Sequence, residues 1–342
     1  MKALFFILIF VVIATAIWQF FKILGLMKKD QIASHEENNI NGWLVLGLGG
    51  FIYGLMVYSM YQGKTVLLPR LSASAEGEHI DNLFVITMTL IIVVQFITQF
   101  LIYFFTFKYR GLDGSKAKFF ADSNKLEMWW TVTPAVVLTG LILYGLWTWN
   151  SVMDTSNAEN PLVIEVYAKQ FGWEARYSGA DNTLGMANVR NIAGINTMGI
   201  DMTDKNSQDD IPVRELRLPK GRKVIFKFRS QDVLHSAYMP HFRAQMNCVP
   251  GMQTTFGFTP SVTTKEMREN EMTKAKFEDI NALRKAENKD PVEFDYLLLC
   301  NKICGNSHYN MQMKIVVEEE AEFNAWIKEQ KTIAQIITNE QK

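Results

Sequence analysis

Phe294-Asp-Tyr-Leu-Leu-Leu-Cys300-Asn-Lys-Ile-Cys304-Gly-Asn-Ser-His308-Tyr-Asn-Met311-Gln-Met-Lys-Ile-Val-Val317 is the stretch from which the rest of this chain is read. An apolar run with large side chains leads in and a β-branched run leads out, the pattern of a strand, a loop and a return strand. The loop carries two thiols, one imidazole and one thioether between Cys300 and Met311. Such soft-to-borderline donors suit copper far better than magnesium or calcium. The spacing is Cys-x3-Cys, not the Cys-x2-Cys of structural zinc sites, and a methionine also points to copper. Each residue has an ordinary alternative when taken singly. Cys300 and Cys304 would form a disulfide in an exported domain, His308 would be a surface side chain and Met311 would be core. In this order and spacing the metal reading outweighs them.

The loop resembles the dinuclear copper-A loop of cytochrome c oxidase subunit II, Cys-x-Glu-x-Cys-Gly-x-x-His-x-x-Met, with Lys302 in the place of the glutamate. A second stretch, Asp232-Val-Leu-His235-Ser followed by Met246-Asn-Cys-Val-Pro250-Gly251, resembles that family's other signature. The resemblance implies a copper set of His235, Cys300, Cys304, His308 and Met311, completed by the backbone carbonyl of Lys302. A carbonyl ligand does not depend on the side chain, so the lysine leaves the copper set intact. In the family the glutamate also helps hold a magnesium or manganese ion beside subunit I. An ammonium has no lone pair and cannot join an oxygen shell. The expectation is therefore that this chain gives that metal no side-chain ligand: either the Lys302 ammonium replaces the cation and pairs with carboxylates of subunit I, the neater solution, or other residues hold the metal. Gln170-Phe171-Gly172-Trp173 with Tyr177 resembles the family's aromatic stretch Gln-Trp-x-Trp-x-x-x-Tyr. That places electron entry at Phe171 and Trp173, with phenylalanine where the family has its exposed tryptophan. Glu127-Met-Trp129-Trp130-Thr-Val-Thr-Pro134-Ala resembles the start of the family's last anchor helix, where the glutamate opens a proton path into subunit I.

The 342 residues divide by composition. Residues 1–150 read as a transmembrane anchor, with spans at about 3–26, 41–62, 83–107 and 128–149. Each apolar run is long enough to cross a bilayer. Trp18, Trp43, Trp129, Trp130, Trp147 and Trp149 lie near span ends, as interfacial anchors do. Lys22, Lys28 and Lys29 follow the first span, and Lys108, Arg110, Lys116, Lys118 and Lys125 precede the fourth. The other ends carry only Lys2, Lys64 and Arg70. Positive residues stay inside, so the N-terminus and residues 151–342 are expected outside, on the periplasmic side of a cell inner membrane. Ala14-Thr15-Ala16 after an apolar run also resembles a signal-peptide cleavage site. Cleavage would leave the lysine-rich connection outside, against the charge rule, so the first span is expected to be retained.

Residues 151–320 have ordinary globular composition, with strand patterns at 161–177, 224–228, 254–258 and on both sides of the cysteine loop. The fold expected is an all-β, cupredoxin-like Greek-key sandwich behind the α-helical membrane anchor. Insertions at 178–211 and 263–286 interrupt it. The first, rich in Gly, Asn and Asp, reads as a long loop. The second opens with the capping-box pattern Thr263-x-x-Glu266 and a weak stripe of Met272, Phe277, Ile280 and Leu283, so one or two short helices are expected there. Residues 321–342 form a C-terminal helix or tail.

Lys+Arg and Asp+Glu are both 35, so bulk charge gives no reason to expect nucleic acid. Three cysteines exclude a disulfide scaffold, and Cys248 is left over. No Cys-x-x-Cys-His motif is present, so no covalent haem is carried. The resemblance implies the electron-entry subunit of a proton-translocating haem–copper oxidase. Its partners would be a c-type cytochrome donor, membrane lipid, and subunit I with its haems and further copper, among other subunits. Three alternatives stand beside it. A quinol oxidase subunit would lack the copper ligands, all of which are present. A nitric oxide reductase subunit with the same copper centre differs in the partner chain, and a membrane-tethered copper carrier would keep exposed, exchangeable ligands, whereas these are divided between two loops.

Overall fold

The computed structural model of the protein describes residues 2–27, 34–63, 71–116, 119–156 and 158–340. Of the basic residues that set the expected orientation, Lys28, Lys29, Lys64, Arg70 and Lys118 lie outside these. The chain forms two compact units, Met1–Gly63 with Thr89–Met128, and Lys64–Met88 with Trp129–Lys342.

The long apolar runs form helices α1 (Lys2–Met27), α2 (His35–Gly63), α3 (Ala75–Lys108) and α4 (Asn124–Met153). These four are long and apolar enough to cross a membrane. They outrun the apolar runs because polar ends continue the helix: Glu36 and Glu37 open α2, and Glu76 and Glu78 open α3, where carboxylates favour the dipole. α4 continues through Pro134. In the first unit, Gly42 and Gly49 of α2 are buried. A Cβ on Gly49 would meet the Tyr103 ring at 2.6 Å, so the small residue lets the backbones of α2 and α3 approach. Tyr53 stacks on Phe96 at 4.9 Å between centroids.

The second unit holds a sandwich of two five-stranded sheets. One has the order β3 (Ile211–Val213), β2 (Gly172–Tyr177), β1 (Leu162–Lys169), β5 (Val224–Ser230), β8 (Thr254–Phe258). The other has the order β4 (Leu216–Pro219), β10 (Gln312–Glu318), β9 (Tyr296–Cys300), β6 (His235–Met239), β7 (Ala244–Cys248). The pairs β1/β5 and β4/β10 are parallel and the rest antiparallel. The alternation in β5 and β10 puts Phe226, Phe228, Ile315 and Val317 into the shared core. Residues 161–177, which read as one run, are a hairpin. An aromatic at its tip, Phe171, hides the turn from an apolar pattern. β6 and β7 carry His, Ser, Gln and Asn, so no apolar run announces them.

The insertion at 178–211 contains short 3-10 turns at Val189–Asn191 and Lys205–Ser207. Its Met198 and Ile200 bury against Tyr167 and against Ile333 of the C-terminal helix α8 (Ile333–Glu340), which follows α7 (Glu320–Glu329). In the second insertion Thr263 caps α5 (Thr264–Glu269) with the capping box its sequence predicts, and α6 (Glu271–Ala286) follows. Phe277 of α6 packs on the core against Phe294, while Met272 and Leu283 are exposed.

The start of α3 is tied into the sandwich. Ala73 donates to the His241 carbonyl at 2.8 Å, and Ser74 Oγ to the Phe242 carbonyl at 2.6 Å. Glu76 pairs with Lys223 at 2.6 Å and Asp81 with Arg243 at 2.7 Å.

Candidate metal centre

β6 and β9 lie side by side, with Ala237 opposite Cys300. That register brings His235, at the start of β6, beside Cys300, at the end of β9. Two backbone bonds fix the loop beyond it: Asn301 N–H donates to the Ser236 carbonyl at 2.9 Å, and Cys300 N–H to the Met311 carbonyl at 3.1 Å. Residues far apart in sequence thereby become one cluster.

Cys300 Sγ lies 3.9 Å from Cys304 Sγ. A disulfide needs about 2.05 Å, so the thiols are unbonded, and both are free. His235 Nδ1 lies 3.8 Å from Cys300 Sγ, and His308 Nδ1 3.6 Å from Cys304 Sγ. Met311 Sδ is 3.8 Å from Cys304 Sγ, and the Lys302 carbonyl oxygen 3.2 Å from Cys300 Sγ. Each sulfur therefore has its own imidazole and one further weak donor. The donor atoms of His235, Cys300 and Cys304 all lie within 4.8 Å of one another. Metal–sulfur bonds are about 2.3 Å, so both sulfurs could hold one metal ion at this separation. Burial, and then the neighbouring Cys300, push the Cys304 thiol up to about 11. The thiolate form is thus disfavoured unless a bound cation offsets its charge.

The surroundings orient these donors. Asp232 Oδ1 lies 2.8 Å from His235 Nε2, which leaves Nδ1 to face the thiols. Burial alone would raise the Asp232 carboxyl. Hydrogen bonds from His235 and from the backbone N–H groups of Gln170 and Val233 bring it below its ordinary range. Gln170 Nε2 donates to the Cys304 carbonyl, and Trp173 Nε1 to the Met311 carbonyl at 3.3 Å. Gly305 has φ +140°, and a Cβ there would sit 2.8 Å from the Phe171 ring. Only glycine leaves room for the hairpin tip.

Phe171 is 41% exposed. Trp173 lies buried beneath the site, its ring 6.2 Å from that of His235. The Lys302 side chain is exposed, as are Ile303 and Tyr309 on the same loop. Glu127 is exposed in the first turn of α4, outside this cluster. Cys248 is opposite His235 on β7, where burial pushes its thiol up to about 12. Neither Gln170 nor Asp232 stands out in the sequence as part of a site. The spacing Asp-x-x-His would have signalled Asp232. Nothing local signals a bond between Gln170 and a carbonyl 134 positions away.

Residues 65–147 match the family model described as cytochrome C oxidase subunit II, transmembrane domain. The alternative cytochrome c oxidase subunit 2 of Bradyrhizobium diazoefficiens is 33% identical over 230 residues, covering 67% of this chain and 72% of the relative. The cytochrome c oxidase subunit 2 of Alkalihalophilus pseudofirmus is 25% identical over 259 residues, 72% of this chain and 57% of that one. The solved periplasmic domain of subunit II of cytochrome oxidase from Bradyrhizobium japonicum aligns with 51% of this chain and 95% of its own, at 17% identity and a TM-score of 0.31. Membership implies copper, and the donors described above suit it. On its sequence likeness, this chain, with its helical anchor and two-sheet β-sandwich, belongs to the cytochrome c oxidase subunit II family.

Proposed function

We propose that this chain is the electron-entry subunit of a haem–copper terminal oxidase, with a dinuclear copper-A centre held by His235, Cys300, Cys304, His308, Met311 and the Lys302 carbonyl. The observation that carries the reading is the pair of unbonded thiols 3.9 Å apart, each with its own imidazole. When bound, the copper pair takes up and gives back a single electron and makes no bond to substrate. The protein's part is rigidity. Ligands fixed between β6, β9 and β10 keep their places as the charge changes, so little must reorganise.

Electrons from a c-type cytochrome would enter at Phe171, which reaches the surface and sits over Gly305 of the ligand loop. Trp173 would continue the path beneath, since its N–H already holds the Met311 carbonyl. The electrons pass to the haems of subunit I, where oxygen is reduced to water and protons are translocated. The chain is a membrane protein, and its sandwich would face the periplasm. Glu127, in the first turn of α4, would open the proton path from the inner side. The Lys302 ammonium would stand in for a divalent cation against carboxylates of subunit I.

The test is rapid mixing of the purified complex with a reduced c-type cytochrome. The cytochrome should be oxidised in a fast phase that reduces the copper centre before the haems. Phe171→Ala should slow that phase and leave the copper spectrum unchanged, while Glu127→Ala should slow turnover alone. A complex that oxidises a quinol but not the cytochrome, or that contains no haem, contradicts the reading.

A further inference from the structure

The tip of the β1–β2 hairpin touches the ligand cluster in more ways than an aromatic contact requires. Gln170 uses both ends. Its backbone N–H donates to Asp232 Oδ2 at 2.7 Å, while the other oxygen of that carboxylate, Oδ1, lies 2.8 Å from His235 Nε2. Its side-chain carboxamide donates to the Cys304 carbonyl. One residue is thus bonded to the ligand histidine's support and to the peptide of a ligand cysteine. Those two ligands come from separate loops, and β6 and β9 between them share only a short register. The fit depends on Gly305, since a Cβ there would lie 3.0 Å from Gln170 Nε2 as well as against Phe171.

We infer that Gln170 is a positioning residue that, together with Asp232, clamps the His235 loop to the Cys304 loop and so sets the retention and symmetry of the copper centre. The inference rests on the copper reading above. Partners that orient metal ligands commonly hold about 10–100-fold in metal affinity although they touch no metal. Asp232 is the half that acts on the histidine, turning Nδ1 inward. Gln170 is the half that acts on the thiol loop, which otherwise leaves through Gly305, a residue with no side chain to pack. Lys169 and Glu174 on the same hairpin form an ion pair at 2.6 Å that reaches no ligand, so the clamp and the general integrity of the hairpin are separable.

The test uses the full chain in its purified complex. Copper content and the electron paramagnetic resonance spectrum are recorded first, then the rate of copper loss to a cuprous chelator after reduction. Gln170→Met keeps the length of the side chain and removes the donor, and should release copper about 10-fold faster or more. Gln170→Glu, which aims a carboxylate at the carbonyl, should be at least as fast. Both should broaden or split the copper hyperfine pattern, because one ligand side has loosened. Asp232→Asn should behave similarly. The double variant should fall well short of the product of the two single effects, since both cut one clamp. Lys169→Met should retain copper like the unchanged protein. If Gln170→Met keeps both the spectrum and the release rate, the inference fails and the copper reading stands. If Lys169→Met loses copper as fast as Gln170→Met, the hairpin is only a scaffold and the inference fails. A parent protein without copper overturns both.

Discussion

Two polar clusters sit in the same sandwich, one buried and one partly buried, and they are opposites. One consists of Arg176, Glu165 and Asp210, with Arg229 at its edge. Arg176 bonds Glu165 at 2.6 Å, Asp210 at 2.5 Å and the Gly185 carbonyl at 2.7 Å, and Arg229 also bonds Glu165. Its arginines and carboxyls are paired with one another. The other is the donor cluster at the Cys300–Met311 loop and His235, whose sulfurs and imidazole nitrogens are electron-pair donors crowded together. A buried charge set that closes on itself holds elements in place, and a donor set that does not close asks for a metal. The first joins β1, β2 and β5 to the insertion at 178–211, and the second sits where the strands end.

The sharpest way to break this contrast is to remove a donor from the open cluster. Cys300→Ser or Cys304→Ser should abolish the shared copper signal altogether, because a hydroxyl is a harder and weaker donor than a thiolate. The fold should survive. Retention of the signal would show that the thiols are not what holds the metal.

Cutting the closed cluster should do the reverse. Arg176→Met leaves two carboxylates facing each other in the core, and should cost about 3–5 kcal/mol of stability in denaturant titration. Burial already pushes Asp210 up to about 7 despite the arginine beside it. The copper spectrum should not change. A shifted spectrum would mean that the two clusters are coupled through β1 and β2, and the contrast would fall.

The Cys300–Met311 loop was legible as a donor cluster because its donors are local. Two cysteines, a histidine and a methionine between 300 and 311 announce a metal without any tertiary contact. His235 carried no such signal and was placed by resemblance. The register of β6 against β9 supplies the physical reason. The closed cluster was not legible at all. Glu165 and Arg176 sit in strand patterns where alternation puts charges outside, and they are buried because the Gly- and Asp-rich insertion, read as a loop, supplies Asp210 and the Gly185 carbonyl over them. Composition cannot say whether such a stretch hangs in solvent or lies on a sheet. β6 and β7 were hidden for a related reason, since their polar residues erase the strand pattern.

A partly buried histidine gives a pH test that separates the sandwich's stability from its metal. His241 packs against Phe294 and Tyr296 at 4.9 and 5.6 Å. Burial, then Arg243 and Lys276, push it down to about 4. The unfolded chain takes up that proton near pH 6.5, the folded chain only near 4. Between those values the unfolded state binds more protons, so stability rises with pH across the window and is flat above it. Acidification from 6.5 to 4 should remove about 3 kcal/mol. His241→Phe should flatten that slope without altering the copper spectrum, and an unchanged slope would place its origin elsewhere.

The smallest effect is expected at the rim of the open cluster. Lys302→Glu should alter stability by no more than about 0.5 kcal/mol, since the side chain is exposed, and should leave the copper signal intact, since only the carbonyl faces Cys300. In the complex it should add affinity for manganese, read by its own resonance. Loss of copper in this variant would show that the side chain, not the carbonyl, serves the site.

The most direct test of the central claim is copper counting with electron paramagnetic resonance on the purified full chain. Two coppers per chain sharing one unpaired electron, with hyperfine structure from both nuclei, is the predicted result. One copper per chain at saturation, or hyperfine structure from a single isolated metal, would contradict it.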